Sequence, residues 1–283
     1  MKNILKLRKL LIKNLVDKGI PKEVLERVCI TDNDLNNIVK EICNIKPMPQ
    51  RILEIGSYVG VSSILLSNLC TDILVTIDPN LSIDTDLNDI RLNKQTKDFF
   101  NELVYDFSDK NKIIRLDCFF SKIPRNEFIQ CHNKFTKNID AIKIMDTNLL
   151  KEYEPFDVVF VDGDHYSDGV YSDLARIMTL SYTPKLILLH DVQDRWGKEV
   201  KKGIKQFIND FKGFKFYESD NIGVLVREQK NIKIDVADLN TDKKQEINAT
   251  IENIVKRNKG ITTFKIVNET NLIIEEVKNG KKV

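Results

Sequence analysis

Five short apolar segments recur along the middle of the chain, each ending in a glycine or an acidic residue: RILEIG (51–56), ILVTID (73–78), KIIRLD (112–117), FDVVFVD (156–162) and KLILLHD (185–191). They are too short for helices and are apolar on both faces. The stretches between them carry helical periodicity instead. SSILLSNLC follows the first segment, a helix is expected near 93–107, and Val170, Leu174, Ile177 and Met178 share one face after the fourth. Val200, Ile204, Phe207, Ile208 and Phe211 do the same after the fifth. Strands buried on both sides and separated by amphipathic helices specify a parallel sheet covered by helices on both faces. FKFYESDNIGVLVR (214–227) then breaks the alternation and reads as a hairpin with its turn near Asp220–Gly223. The expected class is α/β: a doubly wound, mostly parallel seven-stranded sheet that ends in an antiparallel hairpin.

The flanks read differently. Residues 1–45 are expected to form an N-terminal helical cap. Pro21 can open a helix at PKEVLERV. In TDNDLNNIVKEI, Thr31 or Asp32 serves as N-cap to a helix with Leu35, Ile38, Val39 and Ile42 on one face. Pro47 and Pro49 mark a break, so the main domain is expected over 46–227. Residues 228–283 read as a small α+β appendage: a strand at IKIDVA, a helix with Ile247, Ile251, Ile254 and Val255, and a hairpin in ITTFKIVNETNLIIEEV. The 283 residues suffice for one large domain plus such an appendage.

Composition excludes some classes of function. A formal net charge of +2 gives the molecule no strong field for nucleic acid or a membrane surface. The opening MKNILKLRKLLIKNLV is basic and apolar, but Lys6, Arg8, Lys9 and Lys13 interrupt it, so it reads as an amphipathic helix rather than a leader. No window approaches the length of a membrane span. Cys29, Cys43, Cys70, Cys118 and Cys131 contain no C-x-x-C pair. Scattered thiols in odd number argue against a disulfide frame or a zinc site and suit a reducing cytoplasm.

The junction of the first strand and first helix, RILEIGSYVGVSS, is the usual ligand crevice of an open α/β sheet. Gly56 is followed by Ser57 and Tyr58, so the dinucleotide fingerprint fails, and no Gly-Lys-Ser/Thr follows for a P-loop. What remains is acidic-x-Gly-x-x-x-Gly, with Glu54, Gly56 and Gly60. Gly56 allows a sharp turn, and Gly60 allows close approach of a ligand or a helix. Glu54 can accept hydrogen bonds from an ammonium group. Asp78 closes the second strand, where a carboxylate can accept both hydroxyls of a ribose.

The other unusual place is FVDGDHYSDG. An apolar strand ends abruptly in Asp162, Gly163, Asp164 and His165, and the fifth strand ends in His190 and Asp191. Adjacent strand ends let these groups converge. A histidine with a pKa near neutrality can deprotonate a hydroxyl. Plainer roles also fit: Asp164 as a cap of the next helix, His165 packed beside it, and His190 as a buried, hydrogen-bonded histidine at a strand end.

LEIGSYVGVSS resembles the glycine motif of class I S-adenosylmethionine-dependent methyltransferases, in the branch near catechol O-methyltransferase. FVDGDHYSDGVYSDL followed by KLILLHDV resembles a bacterial small-molecule methyltransferase family of that branch (methyltransferase domain 24-like). The resemblance covers about residues 50–227 and implies a Rossmann-like fold. It implies that Glu54, Gly56, Ser57, Tyr58, Gly60 and Ser62 line the methionine end of S-adenosylmethionine, and that Asp78 binds its ribose. It also implies that Asp117 and Cys118 lie by the adenine and that Asp162 sits beneath the sulfonium. Asp162, His165 and His190 are then the catalytic candidates, acting on the hydroxyl of a small molecule: a sugar, a phenol or a natural-product intermediate. Asp162 and Asp191 are the candidate ligands of Mg2+ or another divalent cation.

The sequence departs from that pattern twice. The segment 119–155, with FFSKIPRNEFIQCHNKF, is long and is expected to serve as a lid or an extra substrate wall. The catechol enzyme has Asp-Asn at the end of strand five where this chain has Asp191–Val192, so one oxygen ligand is missing; His190 or Asp164 would have to replace it, although magnesium prefers oxygen. Two rival functions stay open. An RNA-directed methyltransferase would use the basic start and the Lys-rich 198–205, but no Asn/Asp-Pro-Pro-aromatic motif and no Pro-Cys nucleophile is present. A non-catalytic cofactor-binding module that regulates a partner is the other. The sequence leaves the oligomeric state open as well.

Overall fold

The computed structural model describes residues 2–79, 81, 96–122, 141–227, 233–235, 262–268 and 271–276. The chain divides into two compact units, Met1–Arg227 and Glu228–Val283. Among the described residues, no helix is long and apolar enough to cross a membrane.

The first unit opens with three helices, α1 (Lys2–Asp17), α2 (Lys22–Val28) and α3 (Asp32–Cys43). The start of α3 follows directly from its sequence. Thr31 accepts the Asp34 amide, and the Asp34 carboxylate accepts the Thr31 amide, so two otherwise orphaned donors are satisfied reciprocally. Leu11, Leu15, Leu25, Leu35 and Ile38 from these helices are fully buried in the same core as one face of the sheet. The N-terminal helices therefore share the sheet's own core.

Five parallel strands follow: β1 (Ile52–Ile55), β2 (Leu74–Ile77), β3 (Ile113–Leu116), β4 (Val158–Val161) and β5 (Leu186–Leu189). β6 (Phe214–Ser219) and β7 (Ile222–Arg227) form the expected hairpin, and β7 runs antiparallel to β5. Its tight turn carries Asp220 at φ 57°, the left-handed backbone that such hairpins require. The order across the sheet is β3-β2-β1-β4-β5-β7-β6. The order reverses between β1 and β4, which opens a crevice at the carboxyl ends of those strands.

Strand parity divides the core. Ile52, Leu74, Val158, Phe160, Leu186 and Leu188 face α1, α3, α4 (Val61–Ser67) and α5 (Thr96–Phe107). Leu53, Ile55, Val75, Val159, Val161 and Ile187 face α6 (Ser167–Ile177) and α7 (Gly197–Asp210). Register then aligns the strand ends: Ile55 pairs with Ile77 and Val161, Ile77 with Leu116, and Val161 with Leu189. The next residue of each strand is Gly56, Asp78, Asp117, Asp162 or His190. Pairing alone therefore sets these five groups in a row along one edge.

In the second unit, β8 (Lys233–Asp235), β9 (Thr262–Asn268) and β10 (Asn271–Glu276) form an antiparallel sheet in the order β8-β10-β9. The hairpin expected there is β9–β10. The helix expected around Ile247–Val255 lies outside the described residues, as does the stretch 123–140 of the expected lid.

Candidate active site

A cavity of about 700 Å³ opens along the row of strand ends. It runs from Asp78, past the glycine turn, to Asp162 and the His190–Asp191 pair. Cys29 and Ile30, between α2 and α3, close one side of it, and Trp196 stands on another.

The glycine turn is shaped by close packing. Gly56 has φ +90°, and a Cβ there would lie 2.1 Å from the Asp162 carbonyl oxygen. No other residue fits against β4 in that conformation. Gly60 caps α4 at φ +93°, and its missing side chain admits the Phe100 ring, 2.7 Å from where a Cβ would stand. Gly60 thus serves the approach of a helix rather than of a ligand. Tyr58, at φ 46°, completes the turn in a left-handed conformation. Asp78 ties the turn down: its Oδ2 accepts the Ser57 and Tyr58 amides at 3.1 and 2.8 Å. Its Oδ1 receives Arg115 from β3 at 3.0 Å.

At the other end of the cavity, two histidines and three aspartates converge. His165 Nε2 lies 2.8 Å from Asp191 and 3.5 Å from Asp162. His190 Nδ1 lies 3.2 Å from Asp162 and 3.0 Å from Asp191. Its other nitrogen lies 3.2 Å from Asp34, which reaches in from α3. Asp191 adopts φ 62°, a backbone state uncommon for a non-glycine residue and frequent at functional sites. Burial disfavours both charged rings, but the carboxylates outweigh it. His165 is pushed up to about 10 and His190 well above its ordinary value. Burial would raise Asp191, yet the two histidines hold it far below the usual carboxylate range. Asp34 is likewise lowered: burial opposes its charge, but hydrogen bonds from His190 and Thr31 win. His165 keeps 29% of its side chain exposed to the cavity, whereas His190 keeps 9% and is sealed by Asp34. The ring of His165 is steadied by stacking on Trp196 at 5.8 Å.

Most of the residues singled out in the sequence meet at the cavity wall. Gly56, Ser57, Tyr58, Ser62, Asp78 and Cys118 line it, as do Asp162, His165, His190 and Asp191. Three do not line it. Glu54 is fully buried, because its parity in β1 points it beneath α4, where the Ser63 hydroxyl bonds to it. Burial pushes its carboxyl up to about 7 against the opposing hydroxyls of Ser62, Ser63 and Thr76. Gly60 is covered by Phe100. Asp117 turns away to pair with Arg115 and Lys97. Asp164 accepts the Tyr166 amide at 2.9 Å ahead of α6 and stays out of the carboxylate cluster; the N-cap of α6 is Tyr166, with no side-chain cap, so Asp164 shapes the turn before the helix rather than capping it. The third ligand-type group beside Asp162 and Asp191 is His165, the three ligand atoms lying within 4.8 Å of one another.

Three contributors escaped the sequence reading. Asp34 drew no role from the sequence, which offered only Thr31 or Asp32 as the N-cap of that helix. Arg115 had a visible signal, as the only charge inside an otherwise apolar strand. Asp173 on α6 lines the cavity with its carboxyl raised to about 7 by burial, opposed by a hydrogen bond from Ser121 and reinforced by the charge of Asp164.

Residues 53–192 match the family model described as "Methyltransferase domain". No curated protein matches the sequence. Among solved structures, the O-methyltransferase from Bacillus cereus in complex with SAH is similar at 12% identity and TM-score 0.49, covering 78% of this chain and 91% of that one. The O-methyltransferase TomG from Streptomyces achromogenes, involved in tomaymycin synthesis and in complex with SAM, is similar at 12% identity and TM-score 0.48, covering 78% and 89%. A putative O-methyltransferase from Klebsiella pneumoniae gives 13% identity, TM-score 0.46, and 78% and 90%.

Proposed function

We propose, from the premise that this chain belongs to the methyltransferase family whose model it matches, that it transfers a methyl group from S-adenosylmethionine to a hydroxyl of a small molecule. One observation carries the reading. A single cavity joins a ribose-type carboxylate, Asp78, to a cluster of acids and imidazoles built around Asp162. A cofactor with a ribose at one end and its reacting centre farther along needs these two ends on one edge.

The fit to the cofactor rests on the chain's own groups. Asp78 faces the cavity with both oxygens already oriented, and carboxylate oxygens retain capacity for further donors. The wall from Gly56 to Ser62, apart from Gly60, would hold the methionine end, and Cys118 would border the adenine. When bound, S-adenosylmethionine supplies an electrophilic methyl group on a sulfonium. Asp162, at the cluster end of the site, orients the acceptor. His165 is the group placed to take the acceptor's proton, because it is the more accessible of the two histidines, 29% of its side chain being exposed against 9% for His190. With its pKa near 10, His165 accepts a proton only after losing its own. His190 fixes Asp162 and Asp191 from behind.

The metal reading falls on Asp162, His165 and Asp191. Two carboxylates and an imidazole suit manganese, iron or zinc better than magnesium. Such an ion, when bound, would lower the pKa of an acceptor hydroxyl.

The test is calorimetric titration with S-adenosylmethionine, with and without Mg2+ or Mn2+, on wild type and Asp78→Ala. Micromolar binding that the variant loses supports the reading, and tritiated donor offered to hydroxylated acceptors then reports transfer. Absence of binding to folded protein overturns it; binding without transfer to any acceptor favours a non-catalytic cofactor-binding module.

A further inference from the structure

The Arg115 side chain is 6% exposed, stands behind Asp78 rather than in the cavity wall, and uses its whole guanidinium. Nε donates to Asp117 at 2.9 Å. One terminal nitrogen donates to the Ser57 hydroxyl at 3.0 Å and the Tyr58 carbonyl at 3.3 Å. The other donates to Asp78 at 3.0 Å and to Thr96 at 3.5 Å. The face of the group lies over the Phe100 ring at 4.7 Å, the same ring that packs against Gly60. One side chain on β3 thus joins the end of β2, the glycine turn and the start of α5.

We propose that Arg115 is the positioning residue of the ribose site: it sets the orientation of Asp78 and of the Ser57–Tyr58 turn, and through Asp78 it makes the site selective for ligands with free ribose hydroxyls. The proposal rests on the cofactor reading given above. Asp78 is held from two directions, by backbone amides on Oδ2 and by Arg115 on Oδ1, so the orientation of its carboxylate at the cavity wall is fixed. A carboxylate held in one orientation discriminates between a hydroxyl and its absence, because the strength of the bond that a hydroxyl donates to it depends on that geometry. Lysine cannot replace the arginine. Its compact ammonium lacks the planar fork that spans Asp78, Asp117 and the Tyr58 carbonyl together.

A purely structural brace would weaken every ligand alike, so the test compares two ligands. Full-length wild type, Arg115→Lys and Arg115→Met are checked for folding by thermal unfolding. Each is then titrated with S-adenosylhomocysteine and with its 2′-deoxyribose analogue. Wild type is expected to prefer the ribose form by about tenfold or more, the scale of one lost hydrogen bond to a charged group. In the variants that preference is expected to shrink to within about threefold, chiefly through weaker binding of the ribose form. Arg115→Lys keeps the charge, so it provides the measurement if Arg115→Met does not fold. Parallel losses for the two ligands, or an intact preference, overturn the proposal while leaving the cofactor reading standing. No binding of S-adenosylhomocysteine to folded wild type overturns the cofactor reading, and this proposal with it.

Discussion

Glu54→Gln separates two roles for the acid of the glycine motif. The sequence assigns Glu54 to an ammonium group in the ligand site, but the fold encloses it beneath α4. A carboxyl that ordinarily titrates at 4.5 and here titrates at about 7 is favoured in its neutral form by the folded state. At about 1.4 kcal/mol per pH unit, the displacement links roughly 3 kcal/mol of stability to pH. The sign follows from proton counting. Between the two values the folded chain binds more protons than the unfolded chain, so stability falls as pH rises. The contribution is fully present below 4.5 and is lost as pH passes about 7. Glutamine has no proton to lose. The stability of Glu54→Gln relative to wild type should therefore climb by roughly 3 kcal/mol between pH 4.5 and 8 and then level off. Urea unfolding of both proteins across that range measures the difference, and other titrating groups cancel in it. Parallel curves would refute the buried-acid account. The same protein titrated with S-adenosylmethionine at pH 8 should keep its affinity within about threefold, well short of the loss of a charged hydrogen bond; a loss of thirtyfold or more would restore Glu54 to the ligand site.

Gly56→Ala should lower stability by about 2–5 kcal/mol, combining left-handed backbone strain with overlap of a Cβ on the Asp162 carbonyl; an unchanged thermal midpoint contradicts this. Asp34→Ala removes both a helix cap and a carboxylate facing His190, and should cost about 3 kcal/mol or more at pH 7. Thermal unfolding of Asp34→Ala beside Thr31→Ala, which loses the hydroxyl's bonds to Asp34 but keeps the carboxylate facing His190, brackets the share due to His190. If His165 is the proton acceptor, transfer should rise about tenfold per pH unit from pH 7 toward 10, and His165→Ala should abolish that rise. A flat wild-type profile would remove His165 from the role. Stability linked to His190 has the sign of a raised base: it is fully present below about 6.5 and is lost as pH climbs through the higher folded value. Replacement of His190 by Gln should flatten unfolding free energy on the alkaline side, and an alkaline limb identical to wild type would count against the assignment.

The sequence alone determined what depends on local pattern. Apolar runs without polar alternation fixed a sheet covered on both faces, and the break at FKFYESDNIGVLVR fixed its antiparallel edge. Residues that end strands were legible as a group, because parallel strands in register bring their ends together whatever lies between. Asp78, Asp162, His165, His190 and Asp191 follow from that rule, and they line one cavity. The tertiary structure decided the rest, because it depends on direction and on partners distant in sequence. Parity within a four-residue strand sends Glu54 under a helix. The packing of Phe100 takes the space that Gly60 leaves open. Asp34 reaches His190 only because α3 shares the sheet's core, and Arg115 reaches Asp78 only because β3 lies beside β2. A sequence pattern records which side chains are apolar and how they are spaced. Which buried charge faces which other charge is set when separate elements pack, since each one needs a partner that only the assembled fold provides.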